Sequence, residues 1–72
     1  MRIRIKFWTG PTCVEHFAQV VEASHRVNGA VTRGTEHIYF TVEGQDITDG
    51  IAFASQILGV HSRISAQPER QS

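Results

Sequence analysis

Residues 2–8 read RIRIKFW, charged side chains alternating with apolar ones up to a tryptophan. In an extended chain, successive side chains project to opposite faces, so a period of two sorts this run into two surfaces. Ile3, Ile5 and Phe7 share one face; Arg2, Arg4, Lys6 and Trp8 share the other. Thr9-Gly10-Pro11 ends the strand, because proline cannot donate to a ladder. Residues 36–43, EHIYFTVE, alternate in the same way, with Ile38, Phe40 and Val42 against His37, Tyr39 and Thr41.

The segments between and after these strands carry a helical period. Val14, Phe17, Ala18 and Val21 recur at i, i+3, i+4 and i+7, and Val20 widens that stripe. Thr12 followed by Glu15 matches a capping box, and Asn28-Gly29 supplies a left-handed stop, which predicts a helix over 13–27. Residues 30–33, AVTR, predict a short strand that pairs through a turn at Gly34 with the run 36–43 as a hairpin. Asp46 or Thr48 caps a second helix whose stripe is Ile47, Ile51, Ala54 and Leu58, with Phe53 and Ile57 at its side and Gly59 as its C-terminal cap. Residues 60–66, VHSRISA, predict a weaker last strand to which Val60 and Ile64 contribute apolar groups. The polar QPERQS is expected to be a flexible tail, so the domain spans 1–66 and the tail 67–72.

Each helix has one apolar stripe, so both are expected to cover one face of an antiparallel sheet in an α+β domain. Right-handed crossovers select a ferredoxin-like βαββαβ order, or βαββα if residues 60–66 form no strand. In that arrangement the first and third strands are central and the last pairs beside the first. Without the last strand the first becomes an edge, which invites pairing with a second chain.

A chain of 72 residues makes one domain, and at this size only about 60% of the unfolded surface is hidden. Seven basic and seven acidic side chains cancel, so no global field attracts nucleic acid or anionic membrane. The single cysteine excludes an internal disulfide and suits a reducing, cytoplasmic location. The alternating start contains no signal-peptide core, and no apolar run approaches the ~20 residues of a membrane helix, so no membrane partner is expected. Six arginines against one lysine point to GC-rich coding, and with the small size suggest a protein of a phage or mobile element.

Cys13 and His16 raise the question of chemistry. GPTCVEH, placed between a first strand and a first helix, resembles the metal loop of heavy-metal-associated domains, whose pattern is Gly-Met-x-Cys-x-x-Cys. Gly10, Thr12 and Cys13 fit that pattern. Pro11 stands at the Met position and His16 at the second Cys position, which removes one of the thiolates that soft ions such as Cu(I) require. Zn²⁺ accepts both Cys and His, but two ligands leave a site incomplete, and His25, His37 and His61 have no spacing that completes it. Weak metal binding at Cys13/His16 therefore stands as an alternative reading, with no resident metal or cofactor expected. A thiol at a helix start with a histidine one turn on also has the form of a nucleophile pair. No orienting carboxylate or oxyanion pocket can be assigned to it, so no enzymatic activity is expected.

The other constellation is the sheet face that the helices leave open. Arg4, Lys6, Trp8, His37 and Tyr39 would lie side by side there. Aromatic rings flanked by cations are how sheet platforms hold single strands, and RNA-recognition motifs use this topology and face. The glycine-aromatic signature of those motifs is missing from EHIYFTVEG, and Glu36 and Glu43 add negative charge at both ends of the strand. Trp, Tyr and Arg are also the residues most enriched in protein-binding hot spots. The expectation is a non-enzymatic binding module acting through protein–protein contact, an accessory or regulatory protein. Its partner would be a host protein or a second copy, joined through an edge strand or the open face, with single-stranded RNA or DNA binding as the alternative.

Overall fold

A computed structural model describes residues 1–69 as six elements: β1 (Arg2–Trp8), α1 (Val14–Glu22), β2 (Val27–Arg33), β3 (His37–Glu43), α2 (Ile47–Leu58) and β4 (Ile64–Pro68). The architecture is α+β, an open four-stranded sheet with two helices. The strand order is β2-β3-β1-β4, and every neighbouring pair is antiparallel. β1 and β3 pair over their whole length, from Arg2 opposite Glu43 to Trp8 opposite His37. β4 pairs along the other side of β1, so β1 is not an edge.

The alternation decides where the core sits. Ile3, Ile5 and Phe7 from β1 and Ile38, Phe40 and Val42 from β3 are all buried. Ala18 and Val21 of α1, Ala54 and Leu58 of α2 and Val31 of β2 complete the buried cluster. Both helices lie on this one face. Phe17 of α1 meets Phe7 edge-to-face at 5.1 Å, and Gly50 of α2 lies directly over Ile3. A Cβ at position 50 would stand 2.9 Å from both Cδ1 and Cγ2 of Ile3, closer than carbon atoms pack. Glycine is what lets α2 approach the centre of the sheet.

Several boundaries differ from the sequence reading, each for a physical reason. α1 stops at Glu22, not at 27, because residues from Val27 onward pair with β3 instead. Asn28-Gly29 is not a helix stop; it lies at a register shift within β2, where Gly29 adopts φ 77. The Thr12–Glu15 capping box does not form. Cys13 occupies the cap position with no side-chain cap bond, and the Glu15 carboxylate is drawn to Arg33.

The buried side of α2 is Gly50, Ala54, Ser55 and Leu58, while Ile51 is 37% exposed. The helix is rotated so that its glycine, not Ile51, meets the sheet. Phe53 and Ile57 pack against the core from the side. Asp46 provides the cap of α2, its side chain accepting the Asp49 N–H at 2.8 Å. Gly59, at φ 75, closes the helix through its N–H to the Ser55 carbonyl.

The last strand exists but begins later than residue 60, and Val60 packs on the core from the preceding loop. Gln67 and Pro68, placed in the tail by the sequence reading, belong to β4, and the Glu69 N–H donates to the Arg2 carbonyl at 2.9 Å. The remainder of the expected tail, residues 70–72, lies outside the described residues. Since Glu69 turns its N–H toward β1, the Pro68 nitrogen faces away, where its missing proton costs the ladder nothing. Among the described residues no helix is long and apolar enough to cross a membrane.

Candidate functional site: the open sheet face

The side chains that β1, β3 and β4 turn away from the helices meet on one surface. Register sets two rows across it. Thr32, Tyr39, Lys6 and Ser65 form one, and Thr41, Arg4 and Gln67 the other. These rows line a shallow depression of ≈ 320 Å³. Hydroxyl and amide groups flank it, and Arg4 and Lys6 stand in its middle on the central strand.

The five residues singled out from sequence share this face and divide into two groups. Tyr39 stacks on His37 with ring centroids 6.1 Å apart and planes inclined by 28°, and Lys6 Nζ lies 5.9 Å from the Tyr39 centroid. Arg4 projects beside them. Trp8 is more constrained than its place at a strand end suggested. Its Nε1–H donates to Glu36 Oε1 at 2.9 Å, and the Arg63 guanidinium covers one ring face at 4.6 Å. Its backbone N–H donates to the Arg63 carbonyl at 3.1 Å. Lys6, Trp8, His37, Arg63 and Ser65 surround a second shallow depression next to the first.

The chain is neutral overall, yet its charges are unevenly paired. Arg33 of β2 clasps two carboxylates of α1. Its Nε and Nη2 donate to Glu15 at 2.8 and 2.9 Å, and its Nη1 and Nη2 donate to Glu22 at 3.1 and 2.9 Å. The hydrogen bonds from Arg33 hold the Glu15 carboxyl below its ordinary range, and the same bonds raise the Arg33 pKa. Arg26 bonds Asp49 at 3.1 Å, and the Asp49 carboxyl, which also accepts the Gln45 N–H, is lowered chiefly by that backbone bond. Arg2 lies between Glu43 and Glu69 at one end of the open face, and Glu36 is taken by Trp8. Asp46 caps α2. Arg4, Lys6 and Arg63 have no carboxylate partner among the described residues, and all three lie on or beside the open face. The acids nearest to them along the strands are already engaged: Glu43 and Glu69 by Arg2, with Glu69 also touched by the Thr41 hydroxyl at 3.4 Å, and Glu36 by Trp8.

Ser65, Gln67 and Arg63 were not singled out from sequence. The alternation in Ile64-Ser65-Ala66-Gln67 carries the signal for the first two. Arg63 takes φ 67, and no local residue pattern announces a left-handed arginine.

The Cys13–His16 stretch lies apart from this face, at the start of α1. Cys13 is half-buried, with the Thr12 hydroxyl 3.7 Å from its sulfur. His16 is exposed and packs edge-on against Phe17 at 5.3 Å. Among the described residues, no group of three His, Cys, Asp or Glu side chains is arranged to hold a metal ion.

Compared with known proteins, the chain matches no family model, no curated protein and no solved structure.

Proposed function

We propose that the chain is a small non-enzymatic binding module that docks a partner protein on its open sheet face. The observation that carries this is the cluster of Arg4, Lys6 and Tyr39 around the ≈ 320 Å³ depression, on the one sheet face that no helix covers. Tyrosine loses little rotamer freedom per unit of contact area, and tyrosine and arginine are enriched among the residues that dominate interface energetics. The order β2-β3-β1-β4 with both helices on the opposite face supports reading the scaffold as the ferredoxin-like split βαβ. Small size, arginine-rich coding and one free cysteine support an accessory protein of a phage or mobile element working in a reducing cytoplasm.

The test is capture of a partner from the native host by the whole chain, followed by reassembly with the purified partner. Replacing Arg4 and Tyr39 together by alanine is expected to abolish binding while leaving the circular dichroism of the fold intact. A folded double variant that keeps its partner sinks the proposal.

Binding of single-stranded nucleic acid on the same face is the second reading. Arg4 and Lys6, which have no carboxylate partner among the described residues, favour it, because their local positive charge answers the objection raised by a neutral chain.

A further inference from the structure

Resting on the open face as the contact surface, we infer that the partner presents an extended acidic segment, a peptide with carboxylates at alternate positions. Arg4 and Lys6 are two residues apart on one strand, so their Cα atoms are about 7 Å apart. An extended Glu-x-Glu peptide spaces its same-side carboxylates by the same rise, because the geometry of the two chains is identical. The Arg4 guanidinium offers a planar fork that accepts a carboxylate through two parallel hydrogen bonds. Lys6 provides a second cation, and the Ser65, Thr41 and Gln67 side chains supply neutral partners around both.

Charge complementarity is specific to this spot. The acids of the described residues are committed to Arg2, Arg26, Arg33, Trp8 and the α2 cap, leaving the two central cations unmatched. The depression of ≈ 320 Å³ has room for one or two inserted side chains. Bases of a single strand would need free ring faces for stacking. Tyr39 is already stacked by His37 and flanked by Lys6, and Trp8 lies under Arg63. With one face of Trp8 covered by Arg63 and Tyr39 already engaged by His37, less ring is free for bases, which favours a peptide over an oligonucleotide.

The experiment is a ¹⁵N NMR titration of the whole chain with three probes: a ten-residue Thr-Glu repeat, the matching Thr-Gln repeat and a ten-nucleotide oligo-dT. The expected result is saturable shifts at Arg4, Lys6, Tyr39, Thr41 and Ser65 with the Thr-Glu peptide. Binding should weaken by about tenfold or more with the Thr-Gln peptide, and again for the Arg4→Gln/Lys6→Gln variant. Equal binding of the two peptides, preference for oligo-dT, shifts confined to the helices or no binding at all would each overturn the inference. A second arm separates it from the reading it rests on. If the Thr-Glu peptide fails to bind but Arg4→Ala/Tyr39→Ala loses the host partner, the open face stands and the acidic segment falls. If that variant keeps the partner, the open face itself falls.

Discussion

The guanidinium carbon of Arg63 lies 4.6 Å from the centre of the Trp8 ring, placed there by a backbone at φ 67. A left-handed arginine costs about 1–2 kcal/mol over its ordinary conformations. Its stacking over the half-buried indole of Trp8 returns about 0.5–1 kcal/mol. The stacking returns about half of that cost, and the pair lies at the end of the open face next to Lys6 and His37.

That balance separates two substitutions at residue 63. Arg63→Ala keeps the unfavourable φ and loses the stacking, so it should destabilise by about 0.5–1 kcal/mol. Arg63→Gly loses the same stacking but relieves the backbone, and should stay within about 0.5 kcal/mol of the native chain. Urea midpoints decide between them. A glycine variant as damaged as the alanine variant would show that no strain is stored there.

The Arg33 clasp predicts an acid-sensitive contribution. The Glu15 pKa is lowered in the folded chain, mainly by hydrogen bonds from Arg33. The unfolded chain therefore binds this proton first. The stabilisation is complete above the ordinary value of 4.5 and is lost as pH falls through the lower folded value. The raised pKa of Arg33 adds no pH dependence in this window, because arginine stays charged throughout. Glu15→Gln should lower stability at neutral pH and flatten its decline below pH 4.5. Thermal melts that decline with acid as steeply in the variant as in the native chain would contradict this.

Gly50→Ala sets helix propensity against space. Alanine gains about 1 kcal/mol in a helix interior. The added Cβ meets two atoms of fully buried Ile3 at 2.9 Å, and Ile3 is a stiff, β-branched residue on a central strand. Overpacking of this kind costs about 1–3 kcal/mol. The variant is expected to be about 1 kcal/mol less stable than the native chain, and a raised melting temperature would refute the close approach of α2.

The two candidate helix caps should behave differently. Asp46→Ala removes the bond to the Asp49 N–H and should cost about 1 kcal/mol. Thr12→Ala removes no cap bond, since α1 has none from a side chain, and should fall within about 0.5 kcal/mol of neutral. Denaturation of both variants in parallel tests the assignment.

What the sequence made legible was the strands. Period-two runs identify the faces of β1 and β3, and those faces place Arg4, Lys6, His37 and Tyr39 together. What it concealed depends on contacts distant in the chain. Glu15 matches a local capping signature, but Arg33, eighteen residues on, offers it two charge-assisted bonds. Asn28-Gly29 fits a helix stop and serves as a strand irregularity because β3 is there to pair with. Ile51 has the right spacing for the core, yet Gly50 makes the closer contact possible and turns Ile51 outward. A summed charge of zero hides which charges are paired: Arg4 and Lys6 at the centre of the open face have no carboxylate partner among the described residues, while the acids at its ends are held by Arg2 and Trp8.

The margins of the sheet govern how copies of the molecule behave when concentrated. β2 changes register between Asn28 and Thr32, and β4 turns the bare nitrogen of Pro68 outward. Each border is interrupted at one place in the run of donors and acceptors on which a neighbour could template a fifth strand. Addition of a neighbouring strand is hindered at the Pro68 end of β4 and at the shift in β2, so the edges of the folded sheet are poor templates for fibril-like growth.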